Sequence, residues 1–100
     1  MGITDQGAGC YSVSGPMEFA NAASLLAEGL AALAAAPAGA DMIVDLQAAG
    51  RVDSAGLAVL LEWLARARRD GHRFTVIHAP EKLLALAKVS ELDRIILAKE

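Results

Sequence analysis

Aromatic side chains are nearly absent: Tyr11, Phe19, Trp63 and Phe74 are the whole set. So few rings, scattered along the chain, build no stacking platform for unpaired bases. Cys10 is the single cysteine, so no intrachain disulfide can form and nothing implies an oxidising compartment. His72 and His78 have no cysteines or carboxylates at ligand spacing, which points to no metal and no cofactor. The chain has no Gly-x-x-x-x-Gly-Lys-Ser/Thr loop, so it is not expected to bind or hydrolyse ATP itself. Its longest apolar stretch is mostly alanine and is broken by Glu28, Gly29, Pro37 and Gly39, too weak for a membrane span. Residues 1–8 lack the basic and apolar regions of a signal peptide, and the expected location is the cytoplasm. Nine basic against twelve acidic residues give a net charge of −3, which offers no general attraction to nucleic acid.

What is present is small and apolar. Residues of hydrophobic type make up 55% of the chain, and alanine dominates them, so elements must approach closely to bury enough area. A length of 100 residues suits one domain, taken as 1–100. Met1–Gly9 reads as a frayed end or a poor edge strand, and Cys10–Val13 as a short strand stopped by Ser14-Gly15-Pro16. Leu25, Leu26, Leu30 and Leu33 recur at helical spacing between Phe19 and Ala36, where Pro37 and Gly39 end the helix. Met42–Leu46 is a short apolar run suited to a central strand, followed by a turn over residues 47–50. Leu57, Leu60, Leu61 and Leu64 form the stripe of a second helix, closed by Asp70-Gly71. Phe74–His78 reads as a strand, and Pro80 and Glu81 open a third helix; Leu92–Leu97 fits either a last helical turn or a strand. The alternation predicts an α/β fold, a mixed central sheet of four or five strands with about four helices.

The most informative segment is Arg51-Val-Asp-Ser-Ala-Gly-Leu57, which joins the central strand region to the second helix. Asp53 and Ser54 are both good N-cap types, and either can accept hydrogen bonds from the free amides of the first turn. Gly56 allows that turn to approach a neighbouring strand or a partner backbone. Sites of open α/β sheets gather at strand C-termini, so a serine hydroxyl here is equally a candidate contact or a phosphoacceptor.

Asp45-Leu46, then Val52-Asp53-Ser54-Ala55-Gly56-Leu57 with Leu60-Leu61, resembles the signature of STAS domains, the fold of bacterial anti-sigma factor antagonists and of regulatory domains on anion transporters. Val13-Ser-Gly15 leading through Phe19, Asn21 and Ala22 is similar to that family's second strand and the start of its first helix. Glu62-Trp63-Leu64, Gly71 before Phe74, and His78-Ala-Pro80 leading into Leu83–Ala87 resemble most the small stand-alone STAS subunits of the Mla phospholipid-trafficking ABC transporters, which maintain outer-membrane lipid asymmetry. The resemblance implies a non-enzymatic subunit that binds the cytoplasmic ATPase subunit and, through it, the permease complex at the inner membrane. It places the residue at the Ser54 position in that contact, and the adjoining Asp53, Ala55 and Gly56 are taken with it as the partner-binding segment. The alternative it implies is an anti-sigma factor antagonist, partnered by a serine-kinase anti-sigma factor and phosphorylated at Ser54.

Trp63 lies off the Leu57/Leu61/Leu64 line and is a candidate interface anchor or a core residue at the border of the sheet. Arg66, Arg68, Arg69, His72 and Arg73 form a basic cluster that suits a helix C-terminus, and Arg66, Arg69 and Arg73 make a secondary patch for a partner or lipid headgroups. Glu62 and Arg66 are spaced for a surface ion pair. Ser54 and the remote His78 make too thin a case for a nucleophile and its base, so no catalysis is expected.

Overall fold

A tight turn containing Gly7, Ala8 and Gly9, all at positive φ, folds the start of the chain into a hairpin. In the computed structural model, which describes residues 2–89, this hairpin joins β1 (Gly2–Gly7) to β2 (Cys10–Met17). The two are antiparallel, with Ile3 opposite Val13 and a register shift between Asp5 and Gly7. The poor edge strand read from the sequence is therefore a real strand, held on one side only by β2 and tied to the first helix by Glu28, whose carboxylate accepts the Ile3 amide at 2.8 Å.

β2 does not stop at Ser14-Gly15-Pro16, as the turn chemistry suggested, but continues to Met17. Gly15 sits at φ +87° and the pairing with β4 (Ala49–Val52) shifts between Gly15 and Met17, so the irregularity absorbs a proline that cannot donate to the ladder. The same β2 pairs in parallel with β3 (Asp41–Asp45) along its first half, and β3 pairs in parallel with β5 (Arg73–Ile77). The turn expected over residues 47–50 is accordingly short, and its second half is already strand β4.

Three helices complete the described fold: α1 (Phe19–Ala35), α2 (Ser54–Arg69) and α3 (Glu81–Val89). α1 packs on β1 and β2, α2 on β2, β4 and β5, the two helices pack on each other, and α3 touches α2 and β4. The assignment of Leu92–Leu97, and with it a fourth helix, lies outside the described residues. No helix among the described residues is long and apolar enough to cross a membrane.

The core is built from Val13 and Met17, Met42, Val44 and Leu46, Val52, Phe74 and Val76, covered by Leu25 and Leu33 of α1 and Leu83 of α3. On α2 the buried line is Gly56, Leu57, Val59, Leu60, Trp63, Leu64 and Ala67, while Leu61 is only half buried. The stripe is thus rotated toward Val59 and Trp63 because α2 must meet α1 as well as the sheet. Trp63 is wholly buried, its indole N–H donating to the Leu26 carbonyl at 3.2 Å, so it packs the α1–α2 seam and offers nothing to a partner. Gly29 makes the room: a Cβ there would collide with the indole ring.

Candidate functional site

Parallel pairing of β2 with β3 and β4, and of β3 with β5, brings the C-terminal ends of four strands to one side of the molecule. α1 and α2 both begin there, which leaves two sets of unpaired amides in need of acceptors. Asp53 is the N-cap of α2: one carboxylate oxygen accepts the Ala55 amide at 2.9 Å and the Gly56 amide at 3.2 Å. Its other oxygen accepts the Phe19 amide at 3.1 Å, at the first residue of α1. One carboxylate therefore fastens the starts of both helices, and its own amide is held by the Met17 carbonyl at 3.2 Å. The amide donors, that of Phe19 foremost, hold the Asp53 carboxyl below its ordinary value of 3.8, against a partial opposing effect of desolvation.

Since Asp53 does the capping, Ser54 is the first helical residue and not the cap. Its side chain is exposed, and the capping bonds in the described residues leave Ser54 Oγ out. Ala55 is half buried. Gly56 is buried, and a Cβ on it would strike the Met17 carbonyl oxygen and crowd the Met17 side chain, so its small size serves the approach of α2 to β2 and does not open a path for a partner.

Two neighbours of this junction were not read as site residues from the sequence. Phe19 is 84% exposed, while the other exposed large apolar side chain among the described residues, Leu84, is 38% exposed. Arg51 pairs with Glu18 at 2.9 Å beside it, and Glu18 is itself fixed by its amide donating to Asn21 Oδ1 at 2.9 Å. The hydrophobic spacing marks Phe19 only as a helix start; the place of its backbone at the start of α2 depends on the reach of Asp53 across 34 residues of sequence.

Farther along the same side, His78 Nδ1 lies 2.9 Å from Asp45 Oδ1, joining the ends of β3 and β5. Asp45 also accepts the Gln47 amide, which is the main reason its carboxyl is lowered, with His78 second. Neither group reaches Ser54 in any hydrogen bond of the described residues.

The basic patch is elsewhere. Arg66, Arg68 and Arg69 occupy the last turn of α2, roughly 20 Å along the helix from Ser54. Arg66 and Arg69 border a groove of about 360 Å³ with Leu30, Glu62 and Ala65, and Arg73 begins β5. No ion pair forms between Glu62 and Arg66; among the described residues Arg51 pairs with Glu18, and His78 is hydrogen-bonded to Asp45. His72 does not belong to the patch, because it is 7% exposed and its Nδ1 is engaged by the Ala40 carbonyl at 2.9 Å. Among the described residues no three of His, Cys, Asp and Glu gather as a metal site.

Comparison with known proteins bears on this geometry. A family model described as Mlab, STAS domain matches residues 5–98. No curated protein sequence matches the chain. Among solved structures, an anti-sigma factor antagonist from Mycobacterium paratuberculosis is similar at a TM-score of 0.69 and 20% identity, over 97% of this chain and 83% of that one. A crystal structure of Mglu is similar at a TM-score of 0.59 and 24% identity, over 80% of this chain but 19% of that one. At such identities the two structures speak for the fold alone.

Proposed function

From the premise that this chain belongs to the MlaB-like STAS family, we propose that it is a non-enzymatic subunit that binds the ATPase of a phospholipid-trafficking ABC transporter through the surface around Ser54. The observation that carries this reading is the division of labour at the α2 start: Asp53 takes the whole capping role, and Ser54 is left exposed with no structural task. A short hydroxyl at that position lets a partner backbone come close. Binding there would stabilise or regulate the ATPase, and through it the permease, at the cytoplasmic face of the inner membrane. The lipid asymmetry of an outer membrane is then the process served.

The test is copurification with substitutions at Ser54. Ser54→Ala should leave the ATPase bound and the fold intact, since no cap is removed. Ser54→Glu and Ser54→Arg bring a charge into a closed interface, where an unpaired ion is far less tolerable than a lost hydrogen bond, and should release the ATPase while circular dichroism stays unchanged. Full recovery of the ATPase by folded Ser54→Glu removes the site from the interface.

The same exposed hydroxyl supports a second reading, an anti-sigma factor antagonist switched by phosphorylation at Ser54. Phosphate there would add about −1.5 to −2 charges next to Asp53. Recovery of a serine-kinase anti-sigma factor instead of a transporter ATPase, with phosphate on Ser54 by mass spectrometry, selects it.

A further inference from the structure

We propose that Phe19 is the apolar anchor of the docking surface around Ser54, and that Asp53 is the residue that positions it. The inference rests on the reading that this surface binds the transporter ATPase. Phe19 is 84% exposed, far beyond any other large apolar side chain in the described residues, and it stands where α1 and α2 begin together. It is not a loose end. Its amide is bonded to Asp53 Oδ2 at 3.1 Å, and the residue before it is fixed through Asn21, so the ring projects from a backbone already ordered.

The surroundings define the chemistry of the occupant. Asp53 is engaged by three amides and Arg51 by Glu18, so these charges at the two helix starts are already engaged within the chain. Ala20 and Ala23, on the exposed side of the same helix, and Ser54 are all small, which lets a partner close around the ring. The complementary feature is thus an apolar pocket on a protein surface, next to a backbone stretch that meets Ser54. Continuity through the Asp53 carboxylate ties both contacts to one occupant, the ATPase. Ordered aromatic residues at the centre of an interface are the type that dominates binding, and order before binding lowers the entropy lost on docking.

The experiment measures binding of the full chain to the purified, immobilised ATPase subunit of a phospholipid-transport ABC transporter from the same organism. Phe19→Ala should weaken binding about thirtyfold or more with an unchanged circular dichroism spectrum and melting temperature, and Phe19→Leu should recover most of the loss. Asp53→Asn keeps an oxygen for the α2 cap but loses the acceptor for the Phe19 amide; it should weaken binding severalfold, and should add nothing in the Phe19→Ala background. If Asp53→Asn weakens binding equally in both backgrounds, Asp53 does not act through Phe19. If Phe19→Ala binds within about twofold of the wild type while Ser54→Glu does not bind, the docking reading stands and the anchor is overturned. If the wild-type chain fails to bind, or Ser54→Glu and Phe19→Ala both bind like the wild type, the docking reading falls and the anchor with it.

Discussion

Asp53 concentrates three backbone bonds on one carboxylate, and its ionised form is what the fold uses. Its carboxyl is lowered in the folded chain, so the folded state releases that proton more readily than the unfolded chain does. The stabilisation is fully present above the ordinary carboxyl value near 3.8 and disappears as pH falls through the lower folded value. Asp45, lowered by Gln47 and His78, adds to the same acid limb. Thermal melts taken from about pH 6 down to about pH 2 should therefore show a shallower loss of stability for Asp53→Asn than for the wild type, and an identical slope would exclude the triple acceptor. Gly29 offers a second residue-scale test. Alanine normally favours a helix over glycine by about 1 kcal/mol, yet here its methyl group would enter the Trp63 ring, which is rigid and walled in. Gly29→Ala should destabilise by about 1–3 kcal/mol in urea titrations, with altered Trp63 fluorescence; a more stable variant would mean the seam is looser than described.

At the scale of the elements, α2 shows how a stripe of leucines acquires its orientation. Leu60 is 0% exposed and Leu61 is half buried, so the two neighbours differ sharply in what they contribute. Leu60→Ala should lower the unfolding free energy by about 2–5 kcal/mol, with Leu61→Ala clearly below it, both read by denaturant titration. Equal losses would put Leu61 back at the centre of the buried face, where the sequence periodicity placed it. The ends of α2 were legible for local reasons. Asp53 is a good cap type followed by two amides within reach, and Gly71 at φ +82° terminates the helix after Asp70. Strand β2 was less legible, because Gly15 and Pro16 are turn residues by composition and only pairing with β4 carries the strand through them.

For the whole molecule, the order β1-β2-β3-β5, with β4 on β2, places β1 at an edge with its outer half exposed. Its amides are protected by pairing with β2 on one side only, with the Glu28 carboxylate holding that of Ile3 and Asp5 Oδ1 that of Gly7. Amide exchange should accordingly be faster in β1 than in β2 and β3, and Glu28→Ala should speed β1 further without touching β3. Uniform exchange across the three strands would show that the hairpin opens only with the whole fold. At this scale charge is also divided: the net is −3, while Arg66, Arg68, Arg69 and Arg73 gather at the end opposite the Ser54 surface. A partner that meets the Ser54 face meets no basic field from these groups, whose reach in salt is about 8–10 Å.

The sequence by itself determined the local events: which stretches alternate, where Leu and Ala recur at helical spacing, where Asp53 can cap and where Gly71 must stop a helix. These depend on neighbours a few residues apart, and the Asp53–Ser54 junction was readable for that reason. Tertiary structure decided the rest. Trp63 and His72 looked available from their positions in the chain, and became buried because α1 supplies Gly29 and the Leu26 carbonyl to one and the Ala40 carbonyl accepts from the other. The link from Asp53 to Phe19 at the start of α1 rests on a contact across 34 residues that no local pattern encodes. Side-chain exposure is a property of the packed surface, and only the folded chain brings the two helix starts together on one carboxylate with Phe19 and Ser54 both exposed.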